Sequence, residues 1–195
     1  MDRLKLEFPT MAREKDALEY IEEFYNNGSK INGTGGLQRY TDDYAGWMEK
    51  INEDLNREPN EELVPAETYF LVRESDNKIV GMINIRLALN HKLWNYGGHI
   101  GYSVRPSERR KGYNKINLYL ALCVCANRGL EAVLLDCDKE NLGSSKTMQA
   151  LGGKMIYEYF DSEKNITIQN YVINVEESLT KNKKLFSGMI AEYPE

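Results

Sequence analysis

The stretch Gly98-His99-Ile100-Gly101-Tyr102-Ser103-Val104-Arg105-Pro106-Ser107-Glu108-Arg109-Arg110-Lys111-Gly112-Tyr113-Asn114 decides how the rest of this 195-residue sequence is read. His99 to Val104 reads as a strand that stops at Arg105-Pro106. A cationic cluster and a glycine follow, and then a helix from about Lys111 to Asn127 closed by Arg128-Gly129. A helix start presents unpaired N–H groups and the positive end of the dipole, which together bind phosphate. Gly112 lets a ligand approach the backbone without a Cβ in the way. Arg109, Arg110 and Lys111 add charge suited to a pyrophosphate or a 3′-phosphate. On residue types alone, a solvated basic helix start with a permissive glycine reads the same. Two other phosphate motifs fail on spacing: Gly33-Thr34-Gly35-Gly36 lacks the third glycine of G-x-G-x-x-G, and no G-x-x-x-x-G-K-[ST] occurs.

Upstream, Leu4, Leu6 and Phe8 alternate with charged residues up to Pro9, the period of a half-buried strand. Ala17, Leu18, Tyr20, Ile21, Phe24 and Tyr25 recur at three and four and predict a helix ended by Asn26-Asn27-Gly28. Residues 33–36 read as a flexible loop and Thr41 to Asn56 as a second helix. Thr68 to Arg73 and Ile79 to Leu87 alternate at two around a turn, which predicts a hairpin. Downstream, Ala132 to Leu135 with its neighbour Asp136 reads as a short apolar strand. Leu142 to Leu151 reads as a helix capped by Asn141. Met155 to Phe160 and Ile166 to Ile173 read as two more strands. The expectation is one domain over residues 1–175 and a tail or short helix over 176–195. A strand-helix-strand crossover among otherwise antiparallel strands predicts an α/β fold with a mixed, mostly antiparallel central sheet and helices on both faces.

Composition narrows the function classes. Twenty-five Lys and Arg against 30 Asp and Glu leave a formal charge of −5, which argues against a non-specific nucleic-acid binder. A hydrophobic fraction of 42% and a charged fraction of 28% belong to ordinary globular domains. Cys123, Cys125 and Cys137 fit neither a C-x-x-C metal pair nor a disulfide framework, so no metal is expected and reduced thiols are. Met1 to Thr10 lacks a signal peptide's apolar run and nothing approaches a membrane span, so the chain is expected to be cytoplasmic, with no membrane partner.

The sequence resembles the GNAT superfamily of N-acyltransferases. Arg109-Arg110-Lys111-Gly112-Tyr113-Asn114 matches the first and fourth positions of its acyl-CoA signature [QR]-x-x-G-x-[GA], with Asn114 in place of the small sixth residue. Ile100 to Pro106 looks like the family's fourth strand. Asn141-Leu142-Gly143-Ser144 followed by Leu151-Gly152 looks like its second CoA-contacting segment. The resemblance runs over about Gly97 to Tyr157 and, less fully, Ala66 to Leu87. It implies splayed fourth and fifth strands with pantetheine in the gap, paired to the backbone of Tyr102, Ser103 and Val104. It places pyrophosphate on the N–H groups from Arg109 to Asn114, including Arg110, Lys111, Gly112 and Tyr113, with Asn141 and Ser144 holding the pantetheine arm. A helix N-cap and its first turn would equally explain these last two.

The reaction so implied is direct transfer of an acetyl group from acetyl-CoA, as cosubstrate, to an amine through a tetrahedral intermediate. The acceptor would be a small-molecule or protein amine, and the protein a monomer or homodimer. His99 stands where many relatives carry a glutamate and is the candidate catalytic base, against the alternative of a structural histidine. Backbone N–H near Ser103 would hold the oxyanion. Many relatives use a tyrosine four residues after the serine of the second segment to protonate the CoA thiolate. Met148 occupies that position, so Tyr113, Tyr157, Tyr159 or no donor serves. The acceptor side is expected to be lined by residues such as Tyr40, Tyr44, Trp47, Glu67, Trp94 and Tyr96. The acids between the second helix and second strand would either attract a cationic amine or form a solvated face. A non-catalytic acyl-CoA sensor or scaffold is the rival reading, and a different acyl chain or a hydroxyl acceptor the third.

Overall fold

The computed structural model describes residues 2–194. Its strands are β1 (Leu4–Glu7), β2 (Ala66–Arg73), β3 (Lys78–Arg86), β4 (Ile100–Val104), β5 (Ala132–Asp138), β6 (Lys154–Asp161) and β7 (Ile166–Asn174). Its α-helices are α1 (Glu14–Asn26), α2 (Tyr44–Leu55), α3 (His91–Asn95), α4 (Tyr113–Asn127), α5 (Leu142–Ala150) and α6 (Val175–Phe186). The strands form two antiparallel sheets, in the order β1-β2-β3-β4 and β5-β7-β6.

The two sheets meet where the start of β4 touches β5. The His99 N–H donates to the Leu134 carbonyl at 2.7 Å, and α4 carries the chain from the end of β4 back to the start of β5. The two strands therefore run in the same sense and part beyond His99. This is the splay expected between the fourth and fifth strands. It divides the single sheet of the sequence reading into two halves.

Strand β2 is buried on both faces, because α1 and α2 cover one side and α4 the other. A strand covered on both sides reads as a near-continuous apolar run, as Tyr69-Phe70-Leu71-Val72 does. Helix α4 is apolar nearly all round, from Ile116 to Cys125, because it touches β3, β4, α5 and α6 at once. Trp47, Phe70 and Phe24 fill the smaller core under α1 and α2. Cys123, Cys125 and Cys137 are free thiols. Among the described residues, no helix is long and apolar enough to cross a membrane.

The segment 176–195 belongs mostly to α6, whose Phe186 ring packs on Tyr119 of α4 with centroids 4.8 Å apart. Beyond it the chain clasps β1: Leu4 N–H donates to Met189 at 2.9 Å, and Ala191 N–H donates back to Leu4 at 2.8 Å. Phe186 and Ile190 are thus core residues, with Leu179 and Met189 packed against them. His91–Asn95 form the short helix α3, because the Asn90 side chain accepts from Leu93 N–H at 3.0 Å and caps a first turn.

Candidate active site

The turn between β4 and α4 carries the first half of the site. Arg110 and Gly112 have φ of +68° and +83°, while Lys111 between them does not enter the left-handed region. Alternating backbone handedness of this kind turns successive N–H groups to one side and makes a concave anion cradle. Among the described residues, the N–H groups of residues 110–114 have no acceptor, which leaves five consecutive donors at the start of α4. A cavity of about 600 Å³ lies against this turn, walled by Ser103, Val104, Arg109, Arg110, Gly112, Tyr113, Asn114, Asn141 and Ser144.

The cations sort themselves differently from the sequence reading. Lys111 turns away from the wall and binds Glu108 at 2.7 Å. Arg105 is buried on the Ile79 carbonyl at 3.0 Å and on Glu23 at 3.3 Å, so it is structural. Arg109 lies over the Phe24 ring at 5.3 Å and donates to Ser29 Oγ at 3.1 Å. Three lysines that the motif does not include, Lys30, Lys115 and Lys146, share the wall with Arg109 and Arg110. Lys115 and Lys146 are exposed, the first in the opening turn of α4 and the second one turn into α5. The signal that finds them is a lysine close behind each cofactor segment.

The ladder between β3 and β4 decides which peptide groups are free. Arg105 N–H donates to Val80 at 2.9 Å and Arg86 N–H to His99 at 2.7 Å. By antiparallel alternation, the peptide groups of Gly101 and Ser103 face β3, and those of Tyr102 and Val104 face the gap. Pairing with an added strand is thus available at Tyr102 and at the N–H of Val104, whose carbonyl accepts from Arg109 Nε at 3.4 Å, but not at Ser103. The Ser103 hydroxyl instead donates to the Asn32 carbonyl at 2.6 Å and accepts from Tyr20 at 3.0 Å, pinning residues 29–36 over β4. Gly33 lies so close that a Cβ there would stand 2.3 Å from the Gly101 oxygen, so this loop is packed.

Asn141 caps α5 by accepting from Ser144 N–H at 3.2 Å, and the Ser144 hydroxyl pairs with Tyr102 Oη at 2.8 Å. Burial holds the Tyr102 hydroxyl protonated far above the ordinary phenol range. Asn114 Nδ2 donates to Thr147 at 3.4 Å, and its buried Oδ1 has no partner among the described residues.

A second cavity, of about 540 Å³, adjoins the first and shares Tyr102, Asn141, Ser144, Lys30 and Asn32 with it. Arg86, Tyr96, Asp136, Asp138 and Glu140 complete its polar wall. Of the expected acceptor-side residues only Tyr96 lies here. Tyr44 and Trp47 are core, and Glu67 is held on the far side by Arg128 at 2.7 Å and Tyr69 at 2.5 Å. Asp54 is tied to Lys50 and Arg57. The acids that line this cavity come from β5 and the turn after it.

His99 is 9% exposed, and its Nδ1 accepts from Leu134 N–H at 3.0 Å. That bond occupies the basic lone pair and leaves the hydrogen on Nε2. Burial first, and the charge of Arg86 second, lower its pKa to about 4. His99 in this geometry joins β4 to β5 with its Nδ1 lone pair engaged, the arrangement of a structural histidine. Its neutral form is favoured in the fold, so stability is full above the unfolded value of about 6.5 and is lost as pH falls toward 4, by on the order of 3 kcal/mol. In urea titrations across that window His99→Gln should lose this pH dependence while the acid limb of turnover stays. Loss of that limb would restore His99 as the base.

Comparison with known proteins agrees with this geometry. A family model described as the acetyltransferase (GNAT) family matches residues 36–152. No curated protein matches the sequence significantly. Among solved structures, RimJ of Mycobacterium smegmatis in complex with CoA-disulfide superposes with a TM-score of 0.72 at 13% identity, covering 96% of this chain and 93% of that one. The microcin C7 self immunity acetyltransferase MccE, in complex with acetyl-CoA and AMP, gives 0.66 at 16% identity over 89% and 93%. The ribosomal-protein-S5-alanine acetyltransferase from Vibrio fischeri gives 0.67 at 12% over 91% and 96%. At these identities the structures speak for the fold, and the family model spans more than half of the sequence. With the unpaired N–H groups at the start of α4, the parted β4 and β5, and a family model over more than half of its length, the chain belongs to the GNAT acetyltransferase family.

Proposed function

We propose that the protein is an acetyl-CoA-dependent N-acetyltransferase that moves the acetyl group directly from the thioester to an amine. The observation that carries this reading is the pair of cavities joined at Tyr102 and Ser144, one beside a cationic cradle of free N–H groups and the other lined by acids. The N–H groups of residues 110–114 take the pyrophosphate, and Lys115 and Lys146 the 3′-phosphate. Tyr102 and Val104 offer backbone pairing to pantetheine, and the orphan Asn114 oxygen accepts from one of its amides. The thioester then reaches the junction, where Tyr102 Oη donates to the departing sulfur. This gives Tyr102 the work for which Met148 is unsuited. A sensor that only bound acyl-CoA would have no use for the second cavity.

Saturating acetyl-CoA, at about 100 times its dissociation constant, should add about 2.7 kcal/mol to stability, a rise in Tm of roughly 5–10 °C. Thiol release followed over polyamines, amino sugars, amino acids and peptides then identifies the acceptor. Silence from every acceptor, with the shift intact, would favour the sensor. For Tyr102→Phe, turnover should fall about 10- to 100-fold with acetyl-CoA affinity kept. That lies at or below the usual general-acid range of about 10²–10⁴, because a thiol of pKa near 8.5 also leaves unassisted. Unchanged turnover would move the proton donor elsewhere.

A further inference from the structure

An alkyl ammonium has a pKa near 10, so an acceptor amine must lose a proton before it can attack at neutral pH. With the His99 lone pair engaged, that proton needs another destination. We propose that Asp136 of β5 is the general base of the transfer, taking the proton from the acceptor ammonium in the cavity where β4 and β5 part. The inference rests on the acetyltransferase reading above.

The geometry of Asp136 suits the task. Its Oδ2 accepts from Gly97 N–H at 2.9 Å, which fixes the carboxylate, and Oδ1 has no partner among the described residues. Asp136 makes no ion pair within 4.0 Å there either, although Arg86 is nearby. Arg86 spends Nη1 on the carbonyls of Gly97 and Gly98, at 3.0 and 2.8 Å. It thereby holds the turn that presents Gly97 N–H to Asp136, and acts as a positioning residue. Asp136 shares the acceptor cavity with Tyr102, so base and proton donor flank one space. The charged and titratable groups that face it are Arg86 of β3, Lys164 of the β6–β7 turn, Tyr159 of β6, Tyr102 of β4, and its β5 neighbours Cys137 and Asp138. Burial lifts the Asp136 carboxyl above its ordinary range, and the Gly97 N–H, Arg86 and Lys164 oppose that rise. A carboxylate made more basic in this way, beside a tyrosine kept protonated, divides the base and acid roles between two environments.

The step balances as follows. Asp136 takes one proton from the ammonium, and the freed nitrogen pair forms the C–N bond while the carbonyl π pair moves onto oxygen. That pair returns, the C–S bond breaks, and the thiolate leaves with the sulfur pair. The second nitrogen proton passes to sulfur by way of Tyr102, giving amide and free thiol. Asp136 returns its proton to solvent.

The test is kcat/KM against pH for the full chain and for Asp136→Asn, each checked for melting and acetyl-CoA affinity. For Asp136→Asn we expect a fall of about 100-fold or more at pH 7, loss of the acid limb, and recovery toward the wild-type rate near pH 10, where the amine deprotonates itself. Asp136→Glu should keep the limb and part of the rate. A variant within threefold of wild type, with the limb intact, overturns the assignment of the base alone. A wild-type protein that binds acetyl-CoA and acetylates no amine overturns the acetyltransferase reading, and the base with it. Should Asp136→Asn not fold, the wild-type limb decides: a carboxyl limb barely moves with temperature, and a limb that moves as an imidazole or amine does would overturn the proposal.

Discussion

Gly112→Val should weaken acetyl-CoA binding by roughly 100-fold or more while costing the fold little. Nothing lies within 4 Å of where its Cβ would stand, so the change meets no protein atom. The effect comes from the backbone. At φ +83° a residue with a Cβ costs about 1–2 kcal/mol, and a β-branched one more. The loop can relieve that strain by rotating Gly112 out of the left-handed region, but the N–H groups of residues 112–114 then cease to converge. Each charge-assisted hydrogen bond lost is worth about 1.5–3 kcal/mol, and two of them reach two powers of ten in affinity. Titration calorimetry with acetyl-CoA measures this directly, with Gly112→Ala expected between variant and wild type. Affinity within threefold of wild type would show that the cradle is not the phosphate site.

Glu108→Gln should destabilise the protein by about 3–5 kcal/mol, a fall in Tm of roughly 6–20 °C. The carboxylate, 5% exposed, accepts from Arg73 at 2.7 Å, Lys78 at 3.0 Å and Lys111 at 2.7 Å. Burial alone would raise its pKa, but the hydrogen bonds from Arg73, Lys111 and Lys78 outweigh it and hold it at about 2. A carboxyl depressed in the fold stabilises fully above its unfolded pKa of about 4.5 and loses that contribution as pH falls toward 2, about 3 kcal/mol in all. The amide removes the neutralising charge and leaves three cations together. Thermal melts at pH 7 and denaturant titrations between pH 5 and 2 read both effects. A variant as stable as wild type, with the same acid slope, would contradict this account of the cluster.

The fold was largely legible because its elements carry clear periods. Leu4 and Leu6 alternate with charged residues, Ala17 to Tyr25 repeats at three and four, Asn141 caps the helix it precedes, and the run Tyr69 to Val72 marks a strand, though one buried on both faces where alternation was expected. What escaped depends on contacts that no local pattern encodes. The division into two sheets comes from β4 and β5 parting beyond the hydrogen bond from His99 to Leu134 that joins them at their start. Helix α6 carries Val175 and Phe186 among charges, and only tertiary packing reveals them as core. The turn before α4 was legible from Gly112 and its neighbours, because it needs a backbone shape that few residues adopt. The base was not. His99 is turned onto Leu134 of the other sheet, a contact that no local pattern encodes. Asp136 looked like the polar end of an apolar strand, and its meaning comes from Gly97 and Arg86 approaching from another sheet.

A crystal structure with CoA bound tests the central claim most directly. The account predicts pyrophosphate oxygens within about 3.2 Å of several N–H groups from residues 110–114, and the sulfur at the junction between Tyr102 and Ser144, opening toward Asp136. A pyrophosphate bound away from the start of α4, or a sulfur directed out of the second cavity, would contradict it.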